Sequence, residues 1–142
     1  CDEIHLPPRS DFESSEGLYG IAFHELVHWT GHSSRALDVH PNHSLEENRR
    51  NKSADRQGFG SVPYAFEELV AELTAAFLCA DFGINQPEEP RADHASYLAS
   101  WLKVLKGDKK AIITAATQAE KAAKLIMDNA GVSAQAADMA AK

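Results

Sequence analysis

Two histidines spaced four apart, with a glutamate directly after the first, constrain this chain more than any other feature. They occur in His24-Glu25-Leu26-Val27-His28. On an α-helix, residues four apart are surface neighbours, so the spacing predicts a helix that presents both imidazoles on one face. Two imidazoles so placed can grip one ion together. Glu25, one step round the helix, can take a proton from a water activated by that ion. The chemistry this implies is amide hydrolysis by a zinc-activated water.

The surrounding sequence predicts where the helices lie. Ser14 or Ser15, with Glu16 close behind, can satisfy the free amides that open a helix ending at Gly31, with Leu18, Ile21, Ala22, Leu26 and Trp29 as its buried side. Pro63 opens a second helix through Phe82, stopped by Gly83. A third is expected from Pro90 or Ala92 to Lys106, and a fourth, rich in alanine, from Lys109 to Asn129. Ahead of them, Ile4 and Leu6 alternate with His5 before Pro7 and Pro8, which predicts a short strand at a sheet edge. Residues 33–62 are polar and without a clear period, a length of irregular chain that usually serves function. The fold class expected is α+β, mostly helical, with a small N-terminal sheet and about four helices. Residues 1–131 are expected to form one domain and 132–142 a flexible C-terminal tail.

Composition excludes several function classes. The formal charge of -7 argues against a segment that grips nucleic acid by itself, because phosphate binding needs clustered Lys and Arg. The local basic runs (Arg49, Arg50 and Lys52; Lys106, Lys109 and Lys110) are surrounded by acids and read as solvated faces. No apolar run approaches the ~20 residues of a membrane span. Two cysteines, Cys1 and Cys79, make no disulfide framework, and Cys79 falls in an apolar helical run, which fits a reducing, cytoplasmic setting. The chain begins with Cys rather than Met and reads as a piece of a longer protein.

Catalytic zinc takes three protein ligands and keeps a fourth position for water. A His-only completion, the metzincin layout, needs histidine three residues after Gly31, but that position is Ser34. Carboxylates offer the alternative. Tyr64-Ala65-Phe66-Glu67-Glu68-Leu69-Val70-Ala71-Glu72 carries three in an otherwise apolar helix whose core stripe is Phe66, Leu69, Val70, Leu73, Phe77 and Leu78. Glu68 and Glu72 share a face. Carboxylates facing a core are costly unless something charged meets them, as a metal at Glu68 and a histidine ring N–H at Glu72 would.

The arrangement resembles gluzincins such as thermolysin, in which the ligand glutamate is followed four residues later by an acid that contacts a metal-bound histidine. Glu68-Leu69-Val70-Ala71-Glu72 matches that form. The resemblance implies Glu68 as third ligand and Glu72 as its outer partner, with Glu67 the competing ligand. The chain from Asp2 to Leu125 is also similar to the metallopeptidase domain of ArdC-type antirestriction proteins and polyvalent proteins. That similarity is carried by Asp2-Glu3-Ile4-His5-Leu6-Pro7-Pro8, by Phe23 to His32, by Phe59-Gly60 with Tyr64 to Leu73, and by His94-Ala95-Ser96-Tyr97-Leu98 followed by Trp101 to Leu105. It implies a zincin-like fold and a protein or peptide substrate. In complete members it also implies an N-terminal single-stranded-DNA-binding domain that this chain lacks, so that DNA is reached only through the missing part.

Other histidines have bland readings beside the functional ones. His32 is a candidate substrate or oxyanion contact, or a helix cap. His94 and Tyr97 share a helical face and are candidate transition-state donors, or hydrogen-bonded packing. His5 is a candidate cleft residue, His40 and His43 are solvated, and Trp29 and Trp101 belong to the core. The expected function is a zinc-dependent metallopeptidase using His24, His28 and Glu68 as ligands and Glu25 as base. The rival is a non-hydrolytic, metal-stabilised binding or antirestriction module.

Overall fold

The structure, a computed structural model, describes residues 3–32, 35, 61–85, 101–102 and 104–132. Three long α-helices carry it: α1 (Ser15–Thr30), α2 (Val62–Asp81) and α3 (Ala111–Asn129). Residues 101–102 and 104–107 are also helical, where the third helix is expected to end, and a 3₁₀ turn at Arg9–Asp11 precedes α1.

The N-terminal strand is not formed. Residues 3–8 belong to no sheet, and there is no strand among the described residues. An edge strand needs a neighbour to pair with, and Pro7 and Pro8 have no N–H to offer one. The alternation of Ile4 and Leu6 buries little, since they remain 36% and 41% exposed. Among the described residues the fold is helical.

Each helix starts and stops for a local reason. The Ser14 hydroxyl accepts from Gly17 N at 3.0 Å and caps α1. Ser61 does the same for Tyr64 N at 3.2 Å, with Pro63 in the first turn of α2. Gly31 ends α1 with an ordinary right-handed φ of -75°. Gly83 is different. Its φ of 65° lets Ile84 N reach Cys79 O at 2.8 Å while Gly83 N reaches Ala80 O at 3.2 Å, a Schellman closure that a side chain at this position would strain.

Helix α2 lies between the other two and is buried on two sides. Toward α3, Thr74 Oγ1 donates to Val70 O at 2.8 Å within its own helix and reaches Ala119 O at 3.3 Å across the interface. The α3 stripe is nearly all alanine, Ala111, Ala115, Ala119, Ala122 and Ala123, ending in Ile126. Small side chains let the two backbones approach, while the larger buried volume comes from Val27, Val70 and Leu78. Fully burying a Val or Leu contributes about 1.5–3 kcal/mol. Leu69 joins this core, Phe66 and Leu73 pack partly against it, and Phe77 stays 38% exposed. Cys79 is buried, as its apolar setting predicts.

Helix α1 turns an unexpected face inward. Its buried positions are Gly20, His24, Val27 and Thr30, whereas Leu18, Ile21, Ala22, Leu26 and Trp29 are half-buried. A histidine can occupy that stripe because α2 meets it with carboxylates rather than hydrocarbon.

Candidate metal centre

The histidine face of α1 lies against the acidic face of α2. One turn separates His24 from His28, and one turn separates Glu68 from Glu72, so the four residues interleave. His24 Nε2 is 3.4 Å from Glu68 Oε2, and His28 Nε2 is 3.4 Å from Glu68 Oε1. The two Nε2 atoms are 3.2 Å apart. Behind this triangle, His24 Nδ1 lies 3.0 Å from Glu72 Oε1, and His28 Nδ1 lies 3.2 Å from Glu67 Oε1.

Burial makes these contacts matter. The side chains of His24 and Glu68 are 11% and 7% exposed, and that of Glu67 is 6% exposed. A carboxylate so enclosed is costly unless a charge or a strong donor meets it. The pKa of His24 records the result. Burial pulls it down, but contacts with Glu68 and Glu72 override that and raise it from 6.5 to about 9. Without a cation at the triangle, a proton on His24 offsets part of the carboxylate charge. At 3.0 Å from Nδ1, Glu72 Oε1 is the near partner on the side of the His24 ring away from Glu68.

The triangle fits a divalent ion. Two donors each ~2.0–2.1 Å from a tetrahedral centre are ~3.3 Å apart. The 3.2 Å between the two Nε2 atoms matches that separation, and each nitrogen has its own Glu68 oxygen 3.4 Å away, Oε2 beside His24 and Oε1 beside His28. His24, His28 and Glu68 are a group whose donor atoms all fall within 4.8 Å of one another. Two imidazole nitrogens and a carboxylate suit zinc and other first-row divalent ions.

The remaining sequence candidates fall into place unevenly. Glu25 is half-buried on the turn between the two histidines. His32 is half-buried just past the end of α1, its backbone N–H bonded to Trp29 O at 3.3 Å. His5 is an exposed residue 3.4 Å from Glu3. His94 and Tyr97 lie outside the described residues, as do His40, His43 and nearly all of the 33–62 segment. Glu67, weighed from sequence as a competing ligand, meets the far nitrogen of His28 instead. The tandem Glu67-Glu68 in an apolar helix was the signal for it, since two adjacent buried carboxylates need two different partners.

Comparison with known proteins settles the ancestry. Residues 1–118 match the zincin-like metallopeptidase family. The chain belongs to that family. It is an ArdC-type domain: the antirestriction protein ArdC of plasmid R388, solved with Mn(II) bound, superposes with a TM-score of 0.64 and 38% identity over 89% of this chain and 40% of its own. A protein named DNA primase TraC from Escherichia coli is 42% identical over 84% of this chain, and the y4eC protein of Sinorhizobium fredii is 37% identical over 86%. The chain spans 10% of the length of TraC and 34% of y4eC, so this zincin-like unit occurs within much longer proteins. No helix among the described residues is long and apolar enough to cross a membrane.

Proposed function

We propose that this domain is a zinc-dependent metallopeptidase in an antirestriction or mobile-element protein, with His24, His28 and Glu68 as ligands. The observation that carries the proposal is that the Nε2 atoms of His24 and His28, 3.2 Å apart, each lie 3.4 Å from an oxygen of the Glu68 carboxylate on a zincin-like scaffold. A zinc ion held there supplies Lewis-acid polarisation of a carbonyl oxygen and lowers the pKa of water to about 7.

The chain's own residues do the rest. His24 and His28 offer neutral nitrogens and Glu68 offers an anion, so the donor set neutralises part of a divalent charge and leaves one side open to substrate. Glu72 stands against Nδ1 of His24 and limits rotation of that ring. Glu25, on the helix turn shared by both histidines, takes the proton from the attacking water at its carboxylate and delivers it to the leaving amine nitrogen. Bond formation at the carbonyl carbon and release of the amine thereby balance one proton in and one out. The partner is a protein or peptide. The net charge of -7 does not favour DNA binding by this segment, and DNA contact falls to a separate domain of the longer protein. We place the domain in the cytoplasm, where Cys79 serves as a small buried apolar residue.

Glu25→Gln separates binding from chemistry. It keeps the side-chain volume and the ligand set but removes the base. The expected result is one zinc per chain in both forms, with cleavage of a denatured protein such as casein lost by about 10²–10⁴-fold in the variant. A wild-type chain that binds zinc stoichiometrically and cleaves neither casein nor a DNA-bound protein sinks the enzymatic proposal. That outcome favours the second reading, a non-hydrolytic, metal-stabilised binding or antirestriction module, which draws its support from the likeness to ArdC.

A further inference from the structure

A neutral imidazole has one N–H, so whatever meets one nitrogen decides what the other can do. At His28 the partner of Nδ1 is Glu67, whose Oε1 lies 3.2 Å away in hydrogen-bond geometry. A carboxylate only accepts. Nδ1 of His28 therefore donates, and Nε2 of the neutral ring is left with its lone pair, 3.4 Å from Glu68 Oε1 and 3.2 Å from His24 Nε2.

Glu67 has no part in the ligand triangle, yet its side chain is as enclosed as that of Glu68, at 6% against 7% exposed. It sits one residue before Glu68 on α2, about 100° round the helix, which carries its carboxylate past the triangle to the outer nitrogen of His28. One helix thus supplies both the anion beside Nε2 and the anion behind Nδ1.

We propose that Glu67 is a positioning residue of the metal site, holding His28 in the Nδ1–H tautomer so that its Nε2 lone pair faces Glu68 before any cation arrives. This rests on the assignment of His24, His28 and Glu68 as the ligand set.

Two variants of the 142-residue chain divide orientation from charge. Glu67→Gln keeps an accepting oxygen and loses the charge, and Glu67→Met loses both. The histidine tautomers are read by long-range ¹⁵N–¹H correlation NMR on the metal-free chain, and Zn²⁺ affinity by competition with a chromophoric chelator. Wild type and Glu67→Gln are expected to show His28 as Nδ1–H, and Glu67→Met to show Nε2–H or a mixture. Zn²⁺ affinity is expected to fall by roughly 10–100-fold in Glu67→Met and by less than about tenfold in Glu67→Gln. His28 found as Nε2–H in the wild type overturns the proposal without any variant, so misfolding of Glu67→Met cannot shelter it. Unchanged tautomer and affinity in a folded Glu67→Met overturn it equally. A wild-type chain that binds no Zn²⁺ overturns the ligand set on which the proposal stands, an outcome distinguishable from a loss confined to the Glu67 variants.

Discussion

Raising the pH of the chain in the presence of a chelator isolates the proton that His24 holds. Burial alone would pull that proton off. Glu68 Oε2 at 3.4 Å from Nε2 and Glu72 Oε1 at 3.0 Å from Nδ1 reverse the balance, and the pKa rises from 6.5 to about 9. Between those values the folded chain binds more protons than the unfolded one, so stability falls as pH rises. The contribution is fully present below pH 6.5, declines through the interval, and is gone above about 9. At about 1.4 kcal/mol per tenfold change in proton affinity, its ceiling is about 3 kcal/mol. Urea unfolding across this range measures it, with His24→Asn as the reference that lacks the titrating ring. The wild type should lose up to about 3 kcal/mol relative to that variant on going from the lower to the upper limit. Saturating Zn²⁺ should abolish the decline, because the ion displaces the proton, and apparent Zn²⁺ affinity should climb through the same interval. A metal-free wild type whose stability stays flat or rises relative to His24→Asn would refute the electrostatic account of the α1–α2 interface.

Two further substitutions probe the scaffold that holds the site. Ala119→Leu forces four-carbon bulk into a fully buried position where Thr74 Oγ1 approaches the Ala119 carbonyl at 3.3 Å, and a loss of about 1–3 kcal/mol in urea unfolding is expected. Ser14→Ala removes the hydroxyl that accepts from Gly17 N at 3.0 Å, which should cost about 1 kcal/mol and fray the first turn of α1 in amide exchange while leaving metal stoichiometry intact.

The parts of this molecule that were legible in its sequence are those written in local rules. Ser14, Pro63 and Gly83 mark helix ends through backbone groups within a few residues, and each sits at such an end. The His24–His28 spacing and the Glu68–Glu72 spacing state which side chains share a helix face, and the helix pairing brings those faces together. What sequence periodicity misjudged is the face of α1 turned inward. A hydrophobic pattern favours Leu18, Ile21 and Leu26, but burial of His24 is decided by carboxylates on α2, about forty positions away, which no local period contains. The N-terminal strand failed for a related reason. Alternation at Ile4 and Leu6 describes what a strand would do if another strand were beside it, and none is present among the described residues. Glu67 was visible as a residue but not as a partner of His28, because a one-residue step rotates its carboxylate past the triangle, and the side of His28 it meets depends on how the helices pack.

The claim on which everything else depends is that one cation sits between α1 and α2. A crystal structure of the chain grown with Zn²⁺, with anomalous differences recorded at the zinc edge, tests it directly. The expected result is a single strong peak ~2.0–2.2 Å from Nε2 of His24, Nε2 of His28 and an oxygen of Glu68, with Glu67 and Glu72 remaining on the Nδ1 sides. A peak coordinated through Glu67, a peak away from both rings, or no peak at the triangle would contradict it.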